Sequence, residues 1–155
     1  ACTTLLAKKF INTNNPLIIA NSDQYIKWDS IKSMYNYNQK KIDGSILTFE
    51  AIHPKWSYAK TDKNNFVTEV AEKKVISKNA TVGVYYWKKG SDYVNSAETM
   101  IKKNVRVNNE FYVCPVYNEA IGEGKKIVID KVSEMHGLGT PDDLKNFITK
   151  KNLTN

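Results

Sequence analysis

The fold is decided by an early stretch of the chain, Pro16-Leu17-Ile18-Ile19-Ala20-Asn21-Ser22-Asp23. Four of its residues, 17–20, form an apolar run without alternation, which predicts a strand buried on both faces, as in a parallel sheet covered by helices. A polar turn follows at once and ends in an aspartate. Open α/β folds place their ligand crevice beyond the carboxyl ends of such strands. Asp23 is therefore the first candidate for a functional residue.

Strands and helices alternate along the rest of the chain. Hydrophobic patterns predict strands over 45–51, 66–71, 80–87 and 127–132. Helices are predicted from Asp29 or Ser30, from Gly90, over 110–121, and from Pro141 with Thr140 as its N-cap. This order predicts one three-layer α/β/α domain over residues 1–155, with a mixed, mostly parallel sheet.

Composition narrows the class of protein. With 155 residues, 41% of them apolar and 25% charged, the chain is predicted to be a single folded domain, and no apolar run is long enough to span a membrane. The net charge of +7 comes almost wholly from lysine, since Arg106 is the only arginine. Arginine is the residue that nucleic-acid readers favour, so we expect small anionic substrates rather than nucleic acid. Cys2 and Cys114 stand alone, which is typical of free thiols in the cytoplasm.

Asp23 and the pair Glu72-Lys73 carry the chemistry that a phosphorylated sugar needs. An aspartate at a strand end can hold Mg²⁺ against a phosphate, because Mg²⁺ prefers oxygen ligands that include water and substrate. A glutamate accepts hydrogen bonds from sugar hydroxyls, and a lysine neutralises phosphate charge. Each has a structural alternative: a turn or cap for Asp23, and a solvated turn for Glu72-Lys73.

Gly83 interrupts a strand that is otherwise branched and aromatic. Glycine weakens a strand and often marks the close approach of a ligand or of another backbone. The pattern leaves open whether Gly83 contacts a ligand or serves packing or a bulge. The two histidines, His53 and His136, have no metal-ligand spacing.

Four segments follow one another in a characteristic order. They are the stretch from Pro16 to Asp23, Thr68-Glu69-Val70-Ala71-Glu72-Lys73, Ser77-Lys78-Asn79-Ala80-Thr81-Val82-Gly83-Val84-Tyr85, and Gly139-Thr140-Pro141-Asp142-Asp143-Leu144. Together they resemble the sugar-1-phosphate nucleotidyltransferases, also called nucleoside-diphosphate-sugar pyrophosphorylases, over nearly the whole chain. The resemblance implies the nucleotide-diphospho-sugar transferase fold. It also implies that Asp23 is a catalytic Mg²⁺ ligand, that Glu72 and Lys73 bind sugar hydroxyls and sugar phosphate, and that Gly83 lies against the sugar.

The chain departs from this family pattern in two places. The family begins with a strand and a glycine-rich loop whose Arg and Lys bind the nucleotide phosphates, and no such segment is present here. We therefore expect the chain to be the C-terminal part of such a domain, incomplete at its N-terminus. The family's second metal carboxylate falls at Gly137, so either one carboxylate is enough or Glu134 replaces it.

The resemblance implies a Mg²⁺-dependent enzyme. It would transfer a nucleotidyl group from a nucleoside triphosphate to a sugar 1-phosphate, giving pyrophosphate and an NDP-sugar for bacterial surface polysaccharide synthesis. One alternative is a glycosyltransferase of related nucleotide-sugar fold, against which the Glu72-Lys73 pair argues. The other is a non-catalytic binding domain. The expected partners are the two substrates, and a homo-oligomer is left open.

Overall fold

The computed structural model describes residues 1–152, which form eight strands and six helices. The strands are β1 (Leu17–Ala20), β2 (Gln24–Lys27), β3 (Gly44–Glu50), β4 (Tyr58–Thr61), β5 (Val67–Ala71), β6 (Asn79–Trp87), β7 (Ile127–Lys131) and β8 (Glu134–Gly137). The helices are α1 (Cys2–Leu5), α2 (Lys8–Ile11), α3 (Ser30–Gln39), α4 (Gly90–Lys102), α5 (Val116–Gly122) and α6 (Pro141–Asn152). No helix within the described residues is long and apolar enough to cross a membrane.

The main sheet is built around β6. Its order is β5-β4-β6-β3-β7, and β1 pairs with the edge of β6 that the start of β4 also contacts. β3 pairs with one edge of β6 along nearly its whole length, while the other edge is shared between β1, opposite residues 84–87, and β4, opposite Ala80. β2 and β8 form a separate two-stranded antiparallel ribbon.

The prediction of a mixed α/β sheet is confirmed, but the prediction that it is mostly parallel is wrong for residues 1–152. The pair β3 and β7 is parallel, whereas β6 runs antiparallel to β1, β3 and β4. The prediction that β1 is buried on both faces is also wrong, since Ile18 is 47% exposed. Leu17 and Ile19 pack against the core, but Ile18 points away from it.

Helices and the ribbon cover the two faces of the sheet, which confirms the three layers. On one face α4 and α5 pack their buried aromatic rings against the sheet, with Tyr117 stacked 4.2 Å from Trp87. On the other face α3 places Tyr37 against Tyr86, with ring centroids 4.9 Å apart. The ribbon of β2 and β8 covers another part of that face, where it packs on Leu47.

The helix ends agree with the capping signals, with one exception. Asp29 caps α3 by accepting a hydrogen bond from the backbone N–H of Lys32 at 3.0 Å. The hydroxyl oxygen of Thr140 caps α6 by accepting one from the backbone N–H of Asp143. The predicted helix over 110–121 begins only at Val116, after Pro115. Residues 110–115 are irregular, because proline fits a helix start and breaks a helix interior.

A bulge bends β6 in its middle. Ile46 of β3 pairs with Tyr85, and Thr48 pairs with Thr81, so that one residue of β3 faces three residues of β6. Gly83 lies inside this bulge with φ of +75°, a conformation that glycine adopts at little cost.

Candidate active site

A cleft of about 400 Å³ opens at the bulge of β6. Its lining residues come from the end of β1, the start of β4, the end of β5, the bulge of β6 and the irregular segment before α5. They include Asn21, Gln24, Lys55, Trp56, Ser57, Glu72, Lys73, Thr81, Gly83, Tyr85, Tyr112 and Cys114. The cleft thus brings together three of the predicted site residues: Glu72, Lys73 and Gly83.

Glu72 is half-buried in the wall of the cleft. Burial raises the pKa of its carboxyl group above the ordinary value, while a hydrogen bond from Ser57 and the charge of Lys73 act in the opposite direction. The hydroxyl of Ser57 donates to Oε2 of Glu72. One carboxylate oxygen is thereby fixed by the protein, which orients the group as a hydrogen-bond acceptor for a ligand.

Lys73 follows Glu72 in a left-handed backbone conformation, with φ of +53°. Its backbone N–H donates to the carbonyl oxygen of Trp56 at 3.1 Å, which fixes the turn to the start of β4. Its Nζ donates to the hydroxyl of Tyr112 at 2.7 Å, and this hydrogen bond raises the pKa of the ammonium group. The ammonium is therefore held at the mouth of the cleft as a fixed positive charge.

Gly83 serves the bulge and borders the cleft at the same time. The side chain of Asn21 lies over it, so that a Cβ at position 83 would be 2.7 Å from Cγ of Asn21. The carbonyl oxygen of Gly83 also accepts a hydrogen bond from the backbone N–H of Asn21 at 2.9 Å. The sequence left open whether Gly83 contacts a ligand or serves packing or a bulge. The structure supports the bulge, and the side chain of Asn21 lies directly against Gly83.

Asp23 lies beside the cleft, in the exposed turn between β1 and β2. It does not line the cleft, although its neighbours Asn21 and Gln24 do. Its carbonyl oxygen accepts a hydrogen bond from the N–H of Leu138 at 2.8 Å, and its Oδ2 would be 2.7 Å from a Cβ at Gly139. The carboxylate therefore stands over the glycine that precedes the cap of α6.

Glu134, the predicted substitute metal ligand, lies away from Asp23. The ribbon pairs Gln24 with Gly137 and Lys27 with Glu134, which separates the two ends by three residues, or roughly 10 Å. Glu134 instead forms ion pairs with Lys27 at 2.8 Å and Lys151 at 3.4 Å. The structure does not bring Glu134 and Asp23 together as a pair of metal ligands.

These ion pairs make the ribbon sensitive to acid. Hydrogen bonds from Lys27 and then His136 lower the pKa of Glu134 from 4.5 to about 2. A lowered carboxyl pKa stabilises the fold above the unfolded value and loses that effect as the pH falls through the folded one. Glu134→Gln should therefore lower the melting temperature at pH 7, and its difference from the wild type should vanish between pH 4.5 and about 2.

Melting curves at a series of pH values test this expectation. Glu123→Gln, at the exposed C-cap of α5, makes the same chemical change and should leave the melting temperature almost unchanged at every pH. A constant difference between wild type and Glu134→Gln down to pH 2 would contradict the assigned ion pairs.

The donors near the cleft fit one kind of metal site. Within residues 1–152, no cluster of three or more His, Cys, Asp or Glu side chains forms a closed metal site. A single exposed carboxylate beside the cleft, such as that of Asp23, is compatible with Mg²⁺, which commonly keeps several waters and shares itself with substrate phosphates. Of the two predicted carboxylates, Asp23 lies beside the cleft and Glu134 does not, so a Mg²⁺ site at Asp23 is taken up as a proposal below.

Two polar residues of the cleft were missed by the sequence analysis. Tyr112 lies within the helix predicted over 110–121, and Ser57 lies between the strands predicted over 45–51 and 66–71. For Tyr112 a signal is present in Pro115, because proline fits a helix start and breaks a helix interior. No comparable signal marks Ser57.

Comparisons with known proteins give the fold a context. No family model and no curated protein matches the chain. Among solved structures, the nucleoside-diphosphate-sugar pyrophosphorylase from Vibrio cholerae RC9 is similar, with a TM-score of 0.75, 22% identity, and coverage of 96% of this chain and 61% of that one. A structure assigned to glucose-1-phosphate thymidylyltransferase from Bacillus anthracis, in complex with a sucrose, is also similar. Its TM-score is 0.72 at 17% identity, and the match covers 94% of this chain and 58% of that one.

The chain thus spans about 60% of the length of these neighbours. At such low identity the likeness concerns the fold. The resemblance inferred from the four sequence segments and the likeness of the backbone point to the same group of proteins. The chain has a mixed α/β fold similar to the matched parts of these two structures.

Proposed function

We propose that this chain forms the sugar-phosphate side of a nucleotidyltransferase site. The substrates are a nucleoside triphosphate and a sugar 1-phosphate, and the products are an NDP-sugar and pyrophosphate. In the cell, the NDP-sugar would supply surface polysaccharide synthesis in the cytoplasm. The observation that carries the proposal is the cleft at the bulge of β6, which both Glu72 and Lys73 line.

The two charged groups match the two ends of a sugar 1-phosphate. One oxygen of Glu72 is held by Ser57, which leaves the carboxylate oriented to accept hydrogen bonds from sugar hydroxyls. Lys73 supplies a positive charge for the phosphate, and the Tyr112 hydroxyl keeps that charge in place. A glycosyltransferase acting on an already activated sugar would have no use for a separate pocket for a sugar monophosphate.

The reaction needs orientation and charge neutralisation rather than a covalent enzyme intermediate. A phosphate oxygen of the sugar 1-phosphate attacks the α-phosphorus of the triphosphate, and the bond from that phosphorus to the bridging oxygen breaks to release pyrophosphate. Lys73 holds the attacking phosphate in position. Asp23 would hold Mg²⁺, which would offset the negative charge that gathers on the phosphates.

Binding of a sugar phosphate tests the proposal directly. In calorimetric titrations of the chain, glucose 1-phosphate and mannose 1-phosphate serve as probes. Lys73→Ala should weaken binding of the preferred probe roughly tenfold to hundredfold, because a charge-assisted hydrogen bond to phosphate is lost. Plain glucose and mannose should bind the variant and the wild type alike.

Lys74→Ala is the matched control, since it removes the same charge from the neighbouring exposed residue, which does not line the cleft. It should retain affinity within about twofold, because exposed charges outside a site act weakly through solvent. Equal weakening by both variants would show that only net charge matters. If the wild type bound neither hexose 1-phosphate, the proposed function would be overturned.

A further inference from the structure

The outer edge of β5 is paired by a side chain. β5 ends the order of the main sheet within residues 1–152, and its inner edge pairs with β4. On the outer edge, Nδ2 of Asn118 donates to the carbonyl oxygen of Val70, and Oδ1 of Asn118 accepts from the N–H of Val70, both at 2.9 Å. The carboxamide thus makes the two hydrogen bonds that a neighbouring strand would make.

This pairing joins the two walls of the cleft. Val70 lies three residues before Lys73 on one wall. Asn118 lies in the first turn of α5, directly after the segment that carries Tyr112 on the other wall. The two walls meet where Nζ of Lys73 donates to the hydroxyl of Tyr112. A change at Asn118 would therefore alter the spacing of the walls at the point where the ammonium is held.

We infer that Asn118 is a positioning residue for the phosphate-binding ammonium of Lys73. The inference takes its ligand, a sugar 1-phosphate, from the proposed function. The contact between Lys73 and Tyr112 is independent of that function. Asparagine is suited to the task because it offers one donor and one acceptor in a plane. Aspartate has the same shape but no donor, so it would direct a carboxylate oxygen at the carbonyl of Val70.

The test compares Asn118→Asp with Tyr117→Phe. Tyr117 is the adjacent residue of the same helix, and its hydroxyl also donates to two backbone carbonyls, those of Ser45 and Tyr86, in the buried core. Both variants lose hydrogen bonds from α5 to the sheet, but only Asn118 contacts the strand that leads to Lys73. We expect Asn118→Asp to weaken glucose 1-phosphate binding about tenfold and Tyr117→Phe to leave it within twofold.

A second measurement does not depend on the ligand. Nuclear Overhauser contacts between the Lys73 side chain and the Tyr112 ring, and hydrogen exchange at the Val70 amide, report the wall spacing in the free protein. Asn118→Asp should lose the contacts and the amide protection, and Tyr117→Phe should keep both. If Asn118→Asp does not fold, Asn118→Ala is measured in its place, since alanine favours the helix.

The outcomes separate the two proposals. Failure of the wild type to bind any hexose 1-phosphate would overturn the proposed function, and the contact between Lys73 and Tyr112 would then decide the role of Asn118 alone. Contacts and affinity unchanged in the Asn118 variant would overturn the positioning role. So would an equal loss of affinity in Tyr117→Phe, because Asn118 would then act only through general stability.

Discussion

Gly90→Ala is expected to destabilise the fold by about 3 kcal/mol, near the upper end for overpacking, and to lower the melting temperature by roughly 10 °C. Gly90 is buried at the first position of α4. A Cβ there would overlap the carbonyl oxygen of Ile11 and approach its carbonyl carbon to 3.1 Å. The clash is with backbone, so no side-chain rotation relieves it.

The neighbouring hydrogen bonds increase the cost. The N–H of Gly90 donates to the carbonyl of Asn15, and that of Ser91 to the carbonyl of Thr13, both at 2.9 Å. Moving the loop over 11–15 away from a new methyl group would stretch both bonds at the start of a buried helix. Thermal denaturation followed by circular dichroism measures the effect.

Gly122→Ala is the control for the glycine-to-alanine change itself. Gly122 ends α5, and a Cβ there would meet no atom within 4 Å. Alanine is the better helix former, so this variant should be as stable as the wild type or more stable by up to about 1 kcal/mol. A melting temperature for Gly90→Ala equal to that of Gly122→Ala would mean that the loop over 11–15 does not pack on α4 as described.

Asp23→Asn should lower the rate of pyrophosphate release by at least about a hundredfold, if Asp23 carries the metal as proposed. Asparagine keeps the size of the side chain but is a neutral and weaker ligand for Mg²⁺. The Mg²⁺ concentration that gives the half-maximal rate should rise. The melting temperature should change little, because the side chain is exposed and only its backbone carbonyl bonds Leu138.

Asp29→Asn makes the same chemical change at another exposed aspartate. Asparagine is as good an N-cap as aspartate, so α3 should keep its start and the protein its activity. If Asp23→Asn released pyrophosphate at the wild-type rate and with the same Mg²⁺ dependence, Asp23 would be a turn residue without a role in metal binding.

Local signals predicted those parts of the fold that depend on neighbouring residues. The cap at Asp29, the cap at Thr140 and the apolar run 17–20 each set an element by chemistry within one turn or strand. Pro115 is a local signal against the helix predicted over 110–121, and α5 begins only after it. Strand direction was beyond such signals, since a continuous apolar run reports burial rather than direction, and the run at 17–20 pairs antiparallel with β6.

The ribbon shows why part of the site could not be predicted from the sequence. β2 and β8 pair across more than 100 residues, with Lys27 opposite Glu134. Each strand has only four residues, and neither alternates clearly. The position of Glu134 along the chain, near Gly137, suggested a metal ligand, but the register places it at the far end from Asp23. The hydrogen bonds of Asn118 to Val70 likewise join residues 48 positions apart and leave no trace in the local pattern.

The cleft exists because two strands divide one edge of β6 between them. β1 stops at Ala20, opposite Val84, and β4 begins at Tyr58, opposite Ala80. Between these two points lies a short interval of β6 that neither strand pairs with, and this interval is called the seam here. Its extent along β6 is set by the point where β1 ends and the point where β4 begins. Two more paired residues at the end of β1 would close the seam, so the length of β1 is under the same constraint as the residues that line the cleft.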